Sequence, residues 1–335
     1  MATYYKYYEN FTKELLLEPT IKLSSPLKLN DPFEKTISTQ IINQFKKQTN
    51  GAKGITELQK ECESYLKACG IVSLTETHRN LLMWAHYGND HKGVCIGYDD
   101  DFLSSLNNRK IPNSRPFKYK PVKVNYDRVR FDENTDQFNS EDQNTLLNEI
   151  LVKTLTTKSD DWIYEKEHRC IVPMEWCDKL LIKTPNNNSE SEDYWVIKQA
   201  LQRGIIEKGE DNSKYYCFKS SADKLAHFLS SIDEVTVLKD ICPSSITSIF
   251  IGCEASQRTK TEVIRTIRAN PDKLGHITVY QYAKDSSRFE LNPKKRDPFR
   301  VGGGGGIKIK VDLQKEIFGT ASFGPANAGE PQKPV

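Results

Sequence analysis

Residues 160 to 172 read DDWIYEKEHRCIV, with Glu165, Glu167, His168 and Arg169 pressed against the apolar Cys170, Ile171 and Val172. Two backbone conformations give this stretch different meanings. In an extended chain Ile163, Glu165, Glu167, Arg169 and Ile171 share one face. Two carboxylates about 7 Å apart on that face repel unless a cation intervenes, and Arg169 supplies one. In a helix Glu165 and Arg169 become an ordinary i,i+4 surface pair worth about 0.2–0.5 kcal/mol, with Tyr164 and His168 on the other face. The apolar run that follows favours extension from Glu167 onward, a strand opening on an E-x-E pair.

Outward from this stretch the chain alternates short strands and helices. YYKYY near the start reads as an aromatic strand, Ile21 and Leu23 mark a second, and NDPFE (30–34) is a turn. Residues 34–69 have helical spacing, GIVSLTE (70–76) is a strand, and THRNLLMWAHYG is a helix capped by Thr77 and stopped by Gly88. HKGVCIGYD is a strand with Val94, Ile96 and Tyr98 on one face. PFKYKPVKVNYD reads as an edge strand broken by Pro121. Leu146, Leu147, Ile150, Leu151 and Leu155 form a helical stripe. ITSIFIGCEAS, KTEVIRTIRA and HITVYQYA read as strand, helix and strand.

The sequence therefore predicts an α/β (α+β) fold: a single domain over 1–300, with insertions near 34–69, 127–160 and 178–240. A Gly-rich linker and flexible tail would fill 301–335. At 37% apolar and 28% charged residues the composition is that of a soluble globular protein, read as cytoplasmic and away from membranes. A net charge of +3 leaves any affinity for nucleic acid to a local patch. None of the eight cysteines forms a C-x-x-C pair, and they read as reduced thiols.

Four polar boxes are candidates for chemistry. Lys6 and Tyr7 lie in the first strand, where core packing is the plainer explanation, and Asn30 and Asp31 lie in a turn that capping explains. His86 and His91 bracket the end of a helix beside Tyr87. The fourth box holds Glu165, Glu167 and Arg169. The stretch 109–130 is basic with interleaved aromatics, as a groove for single-stranded nucleic acid is, or as an edge strand guarded by lysines is. No G-x-S-x-G, glycine-rich phosphate loop or H-E-x-x-H is present.

Taken in order, YYKYY, LSSPLKLNDPFE, SLTE…LLMWAHYGNDHKGVCIGYD, W-x-YEKEHR and IFIGCEAS…ITVYQYA resemble a large bacterial family of unknown function associated with abortive-infection and phage-defence proteins. The likeness spans residues 3 to 292. The order of boxes is also similar to ADP-ribosyltransferase-like folds, among them DarT-type DNA-modifying toxins and abortive-infection proteins of the AbiG type. That likeness implies an ADP-ribosyltransferase-like domain, a split mixed sheet of short strands, with NAD as substrate. Lys6 and Tyr7 on the first strand, with Ser24 and Ser25 on the second, would meet it. Asn30, Asp31, Ser73 and Tyr87 would complete the NAD site. Glu167 would face the developing sugar cation, Glu165 would position or deprotonate the acceptor, and Arg169 would hold Glu167 ionised. His86 and His91 would orient phosphates or the acceptor. The implied partners are a nucleic-acid or protein acceptor and an antitoxin or regulatory protein. Two other classes stay open. One is a nuclease whose His86, His91, Asp99, Glu165 and Glu167 converge on a divalent ion; the other is a non-catalytic binding or sensor module.

Overall fold

The computed structural model describes residues 2–48, 54–104, 117–132, 138, 142–183, 192–209, 215–218 and 225–299. The expected linker and tail, and residues 109–116 of the basic stretch, lie outside them. In chain order, β1 (Thr3–Tyr8), α1 (Glu14–Leu17) and β2 (Thr20–Leu23) precede a 3₁₀ turn at Pro32–Lys35. Then come α2 (Thr39–Gln48), α3 (Ile55–Ala68), β3 (Cys69–Thr75), α4 (Leu81–Tyr87) and β4 (Val94–Asp99). β5 (Lys118–Lys123), β6 (Asn125–Asp127), α5 (Gln143–Leu155) and β7 (Thr157–Ser159) lead into a 3₁₀ segment, Asp160–Glu165, and β8 (Glu167–Pro173). β9 (Lys179–Ile182), α6 (Glu192–Gln202), β10 (Ile206–Lys208), β11 (Tyr215–Phe218), α7 (Ala226–Leu229) and β12 (Val235–Asp240) follow. The last elements are β13 (Ile246–Ile251), α8 (Gln257–Ala269), α9 (Pro271–Leu274), β14 (Thr278–Lys284) and β15 (Leu291–Arg296).

The strands make an eight-stranded sheet, β15-β14-β13-β4-β1-β3-β8-β5, and a five-stranded sheet, β10-β11-β9-β12-β2. Only β13 and β14 run parallel in the first sheet, so it is mixed, as an α/β chain with split sheets requires. β6 and β7 pair separately and in parallel.

Strand alternation assigns each side chain its layer. Val72, Leu74, Val94, Ile96, Cys170 and Val172 point from the large sheet into one buried cluster that also holds Ile21, Leu23, Leu180 and Val237 of the small sheet. The main core therefore lies between the two sheets. Their odd-numbered neighbours face the other way. Ile71 and Ile171 pack under the helical stripe Leu146, Leu147, Ile150, Leu151 and Leu155 of α5, with Leu58 and Leu66 of α3. Each such fully buried aliphatic side chain contributes about 1.5–3 kcal/mol. Farther along the same face, Tyr7 and Cys95 meet Met83 and Trp84 of α4. Glu167 and Arg169 share the parity of Ile171, so they emerge on the helix-covered face.

Several expectations are corrected. Asn80, not Thr77, caps α4: its Oδ1 accepts from the Leu82 and Met83 amides at 2.9 and 3.1 Å. Residues 178–240, expected as an insertion, supply four strands of the five-stranded sheet. These strands are three to six residues long, too short for periodicity to show. β5 is an edge strand containing Pro121, and two cations and one aromatic of the basic stretch are engaged within the fold. Lys120 pairs with Asp101 and Arg128 with Asp160, while Tyr119 stacks on Trp176. The edge-strand account thus fits the described part of the basic stretch. All eight cysteines are free, and no described helix is long and apolar enough to cross a membrane.

Candidate active site

The turn before β8 decides the geometry. Residues 160–165 are not extended but coil as a 3₁₀ segment, and Lys166 adopts φ 47°, ψ 48°. A non-glycine residue in this left-handed region is uncommon. The kink rotates the chain so that Glu165, before the strand, and Glu167, its first residue, both reach the same cation. That cation is Lys158, two residues before the 3₁₀ segment, which the sequence reading missed. Its Nζ lies 2.6 Å from Glu165 Oε2 and 3.4 Å from Glu167 Oε2.

Arg169 grips Glu167 with two bonds, Nε to Oε1 at 2.8 Å and Nη2 to Oε2 at 2.9 Å. Its Nη1 donates to the Leu155 carbonyl at the end of α5, at 2.7 Å, and Nη2 also bonds Glu34. Glu34, second in the unforeseen set, comes from the NDPFE turn, where Asp31 caps Phe33 at 2.9 Å. The Tyr87 hydroxyl donates to Glu165 Oε1 at 2.6 Å and accepts from Asn30 Nδ2 at 3.2 Å. Tyr126 accepts from the Glu167 amide at 2.7 Å. Glu34, Lys158, Glu165, Glu167 and Arg169 are all less than one-tenth exposed.

Burial alone would raise the Glu167 pKa, but the guanidinium of Arg169, then Lys158 and the Ser73 hydroxyl, outweigh it and hold the carboxyl near 2. The same carboxylates outweigh burial at Lys158 and Arg169 and raise both. Glu34 goes the other way. Burial is its largest influence, Arg169 offsets only part of it, and its pKa is raised. Its Oε2 has no hydrogen-bond partner. Three carboxylates thus face two cations in one buried network.

A cavity of about 170 Å³ lies beside the network, lined by Asp31, Glu34, Arg128, Arg130, Thr157 and Lys158 among others. Thr157 Oγ1 is likewise buried and unpartnered. The space suits a sugar-sized group, being smaller than the 300–1,000 Å³ of most drug-sized ligand sites.

Of the residues expected from sequence, Glu165, Glu167, Arg169, Tyr87, Asn30 and Asp31 meet here. Lys6 and Ser73 adjoin them. Lys6 Nζ donates to the Ser73 carbonyl at 2.9 Å, and burial, with Lys22 nearby, pushes its pKa down to about 8. His86 is exposed at the rim, its ring 6.4 Å from those of Tyr87 and Tyr164. The others are elsewhere. His91 closes a turn in which Asn89, Asp90 and His91 all have positive φ, and its ring stacks on Trp84 at 6.3 Å. Tyr7 packs edge-on against Trp84 and donates to the Thr77 carbonyl. Ser24 pairs its backbone with Ile71, and Ser25 is buried where the following turn begins. Asp99 accepts from the Asp101 amide at the end of β4. The five residues offered to a divalent ion therefore do not converge. Among the described residues no three His, Cys, Asp or Glu side chains are grouped to hold a metal.

Residues 83–170 match the model of a family described as a protein of unknown function, DUF2971. That span runs from α4 into β8 and contains Tyr87, Lys158, Glu165, Glu167 and Arg169. No curated protein and no solved structure matches the chain.

Proposed function

We propose that the protein cleaves the nicotinamide–ribose bond of NAD and transfers ADP-ribose to a nucleic-acid or protein acceptor. The observation that carries the proposal is the excess of carboxylate in the buried network, with Glu167 ionised at the head of β8 and one oxygen of Glu34, Oε2, unpartnered beside a sugar-sized cavity. When the bond to nicotinamide breaks, its electron pair leaves with the nicotinamide and positive charge develops on the ribose, as in glycoside hydrolysis. An ionised carboxylate that faces the ribose at that moment stabilises the transition state more than the ground state. Glu165, bonded to the Tyr87 hydroxyl, gives the acceptor's proton a route through Tyr87. The resemblance in the sequence boxes adds a toxin or anti-phage setting.

One observation favours a second account. Both oxygens of Glu165 and of Glu167 are already bonded, and the two residues are 5% and 4% exposed. The network is then a clamp that joins the NDPFE turn, α5 and β8. A single experiment separates the two. The folded protein is incubated with adenylate-labelled NAD and RNA, DNA or lysate protein, and free nicotinamide and transferred label are measured. The transferase account expects both, with Glu167→Gln at least about 100-fold slower. Wild type that releases no nicotinamide and transfers no label, in every arm, leaves only the clamp.

A further inference from the structure

The net charge of the chain is concentrated at one end of the large sheet. Between Glu254 and Phe299 stand ten lysines and arginines against six acids, a surplus of four where the whole chain carries +3. The structure gathers part of this surplus into one groove of about 710 Å³ between α8 and the β14–β15 hairpin. Lys260, Arg265 and Arg268 of α8 all line it, and Arg296 of β15 closes the other side. No acidic residue lines the groove, and among the described residues none of these four cations is in an ion pair. Arg296 is steadied by Gln281 of β14 at 2.7 Å, and Arg268 Nε by the Pro298 carbonyl at 2.7 Å. Lys294 stands opposite Gln281 in the hairpin and extends the same row. At the hairpin tip Phe289 is 98% exposed beside Arg288.

We infer that this groove binds single-stranded nucleic acid, the cations following the phosphates and Phe289 stacking on a base. Unpaired cations held in a row cost repulsion unless an anion of matching spacing relieves it. A bare aromatic at the hairpin tip, about 17 Å along the strands from the Val279–Arg296 pair with Lys294 between, fits a base on a strand that follows the hairpin better than it fits an acidic peptide. The groove lies five strand spacings from β8 across the sheet, about 24 Å. The inference does not rest on the NAD proposal, because binding is scored without NAD.

The test is fluorescence anisotropy of the full chain with labelled single-stranded RNA and DNA of about 20 nucleotides, the matching duplexes, polyglutamate and anionic lipid vesicles. Four phosphate contacts predict an affinity that falls about 50-fold between roughly 50 and 200 mM salt. The double variant Lys260→Glu/Arg265→Glu should bind at least about tenfold more weakly, with a salt slope shallower by about 1.4. Lys60→Glu/Lys67→Glu, the same charge change at exposed positions of α3, should stay within about twofold. Phe289→Ala should lose about tenfold on single strands. Equal loss in the two double variants, preference for duplex, or binding only to polyglutamate or vesicles overturns the inference. Absence of binding by wild type at low salt does the same. Thermal melts confirm that each variant is folded, and Lys294→Glu gives an independent variant should the helix change unfold.

Discussion

Two charged regions of this protein stand in opposite conditions. In the network at β8 five ionisable side chains are buried and bonded to one another, and their order depends on contacts between residues up to 135 positions apart. In the groove at α8 Arg265, Arg268 and Arg296 are exposed and Lys260 is half-buried, and among the described residues none of the four is in an ion pair. Buried charges must be satisfied internally or the fold fails, whereas exposed charges can be spent on a ligand. Mutations should therefore separate the two regions sharply, one reading out in stability and the other in binding.

The largest effect is expected from Arg169→Met, which strands Glu34 and Glu167 in the interior. Denaturant unfolding should show a loss of about 3–5 kcal/mol, and a loss below about 1 kcal/mol would mean that the network is hydrated in solution. Lys158→Met should cost less, about 2 kcal/mol, since Glu167 keeps Arg169 and Glu165 keeps Tyr87.

Acid titration of stability comes next and has two parts of opposite sign. Glu34, with a raised pKa, takes up its proton in the folded state first, so stability gains as pH falls through that value towards the ordinary carboxylate range. Glu167, held near 2, contributes stability above the ordinary range and loses it as pH falls from there through about 2. His78, His91 and His168, whose pKa values burial lowers, lose stability as pH falls from the ordinary histidine range, so the gain from Glu34 is read as the difference between wild type and Glu34→Gln, while the urea midpoints themselves fall steeply in acid. The smallest effect belongs to Lys260→Glu/Arg265→Glu, whose stability should lie within about 0.5 kcal/mol of wild type. A larger loss would place those cations inside the fold's own electrostatics and erase the contrast.

The site was half legible in the sequence. Glu165, Glu167 and Arg169 could be read because they are close together and precede an apolar run, which fixes their common face. Lys158 and Glu34 could not. Lys158 sits in TTKSDD, where nothing periodic marks a residue as buried, and Glu34 looked complete as part of a turn. A partner far away in sequence leaves no local trace when one chain is read alone. The helical stripe of α5 and the alternation in β4 announced their layers because each repeats several times. The small sheet did not, because β10 and β11 offer only three or four residues each. His91 misled for a related reason: three successive left-handed residues turn it onto Trp84, a path that side-chain pattern does not encode.

The parity of β8 has a consequence for how the chain avoids misfolding. Antiparallel pairing with β3 sets Arg169 opposite Ser73 and Glu167 opposite Thr75. A slip of one residue would invert every side chain. It would drive Glu167 and Arg169 between the two sheets, away from Lys158 and Glu34, while Cys170 and Val172 turned towards the helices. For an all-apolar strand such an error would be nearly invisible, since both faces of β8 are covered. The ion network makes the wrong pairing expensive, so it acts as a proofreader of strand register.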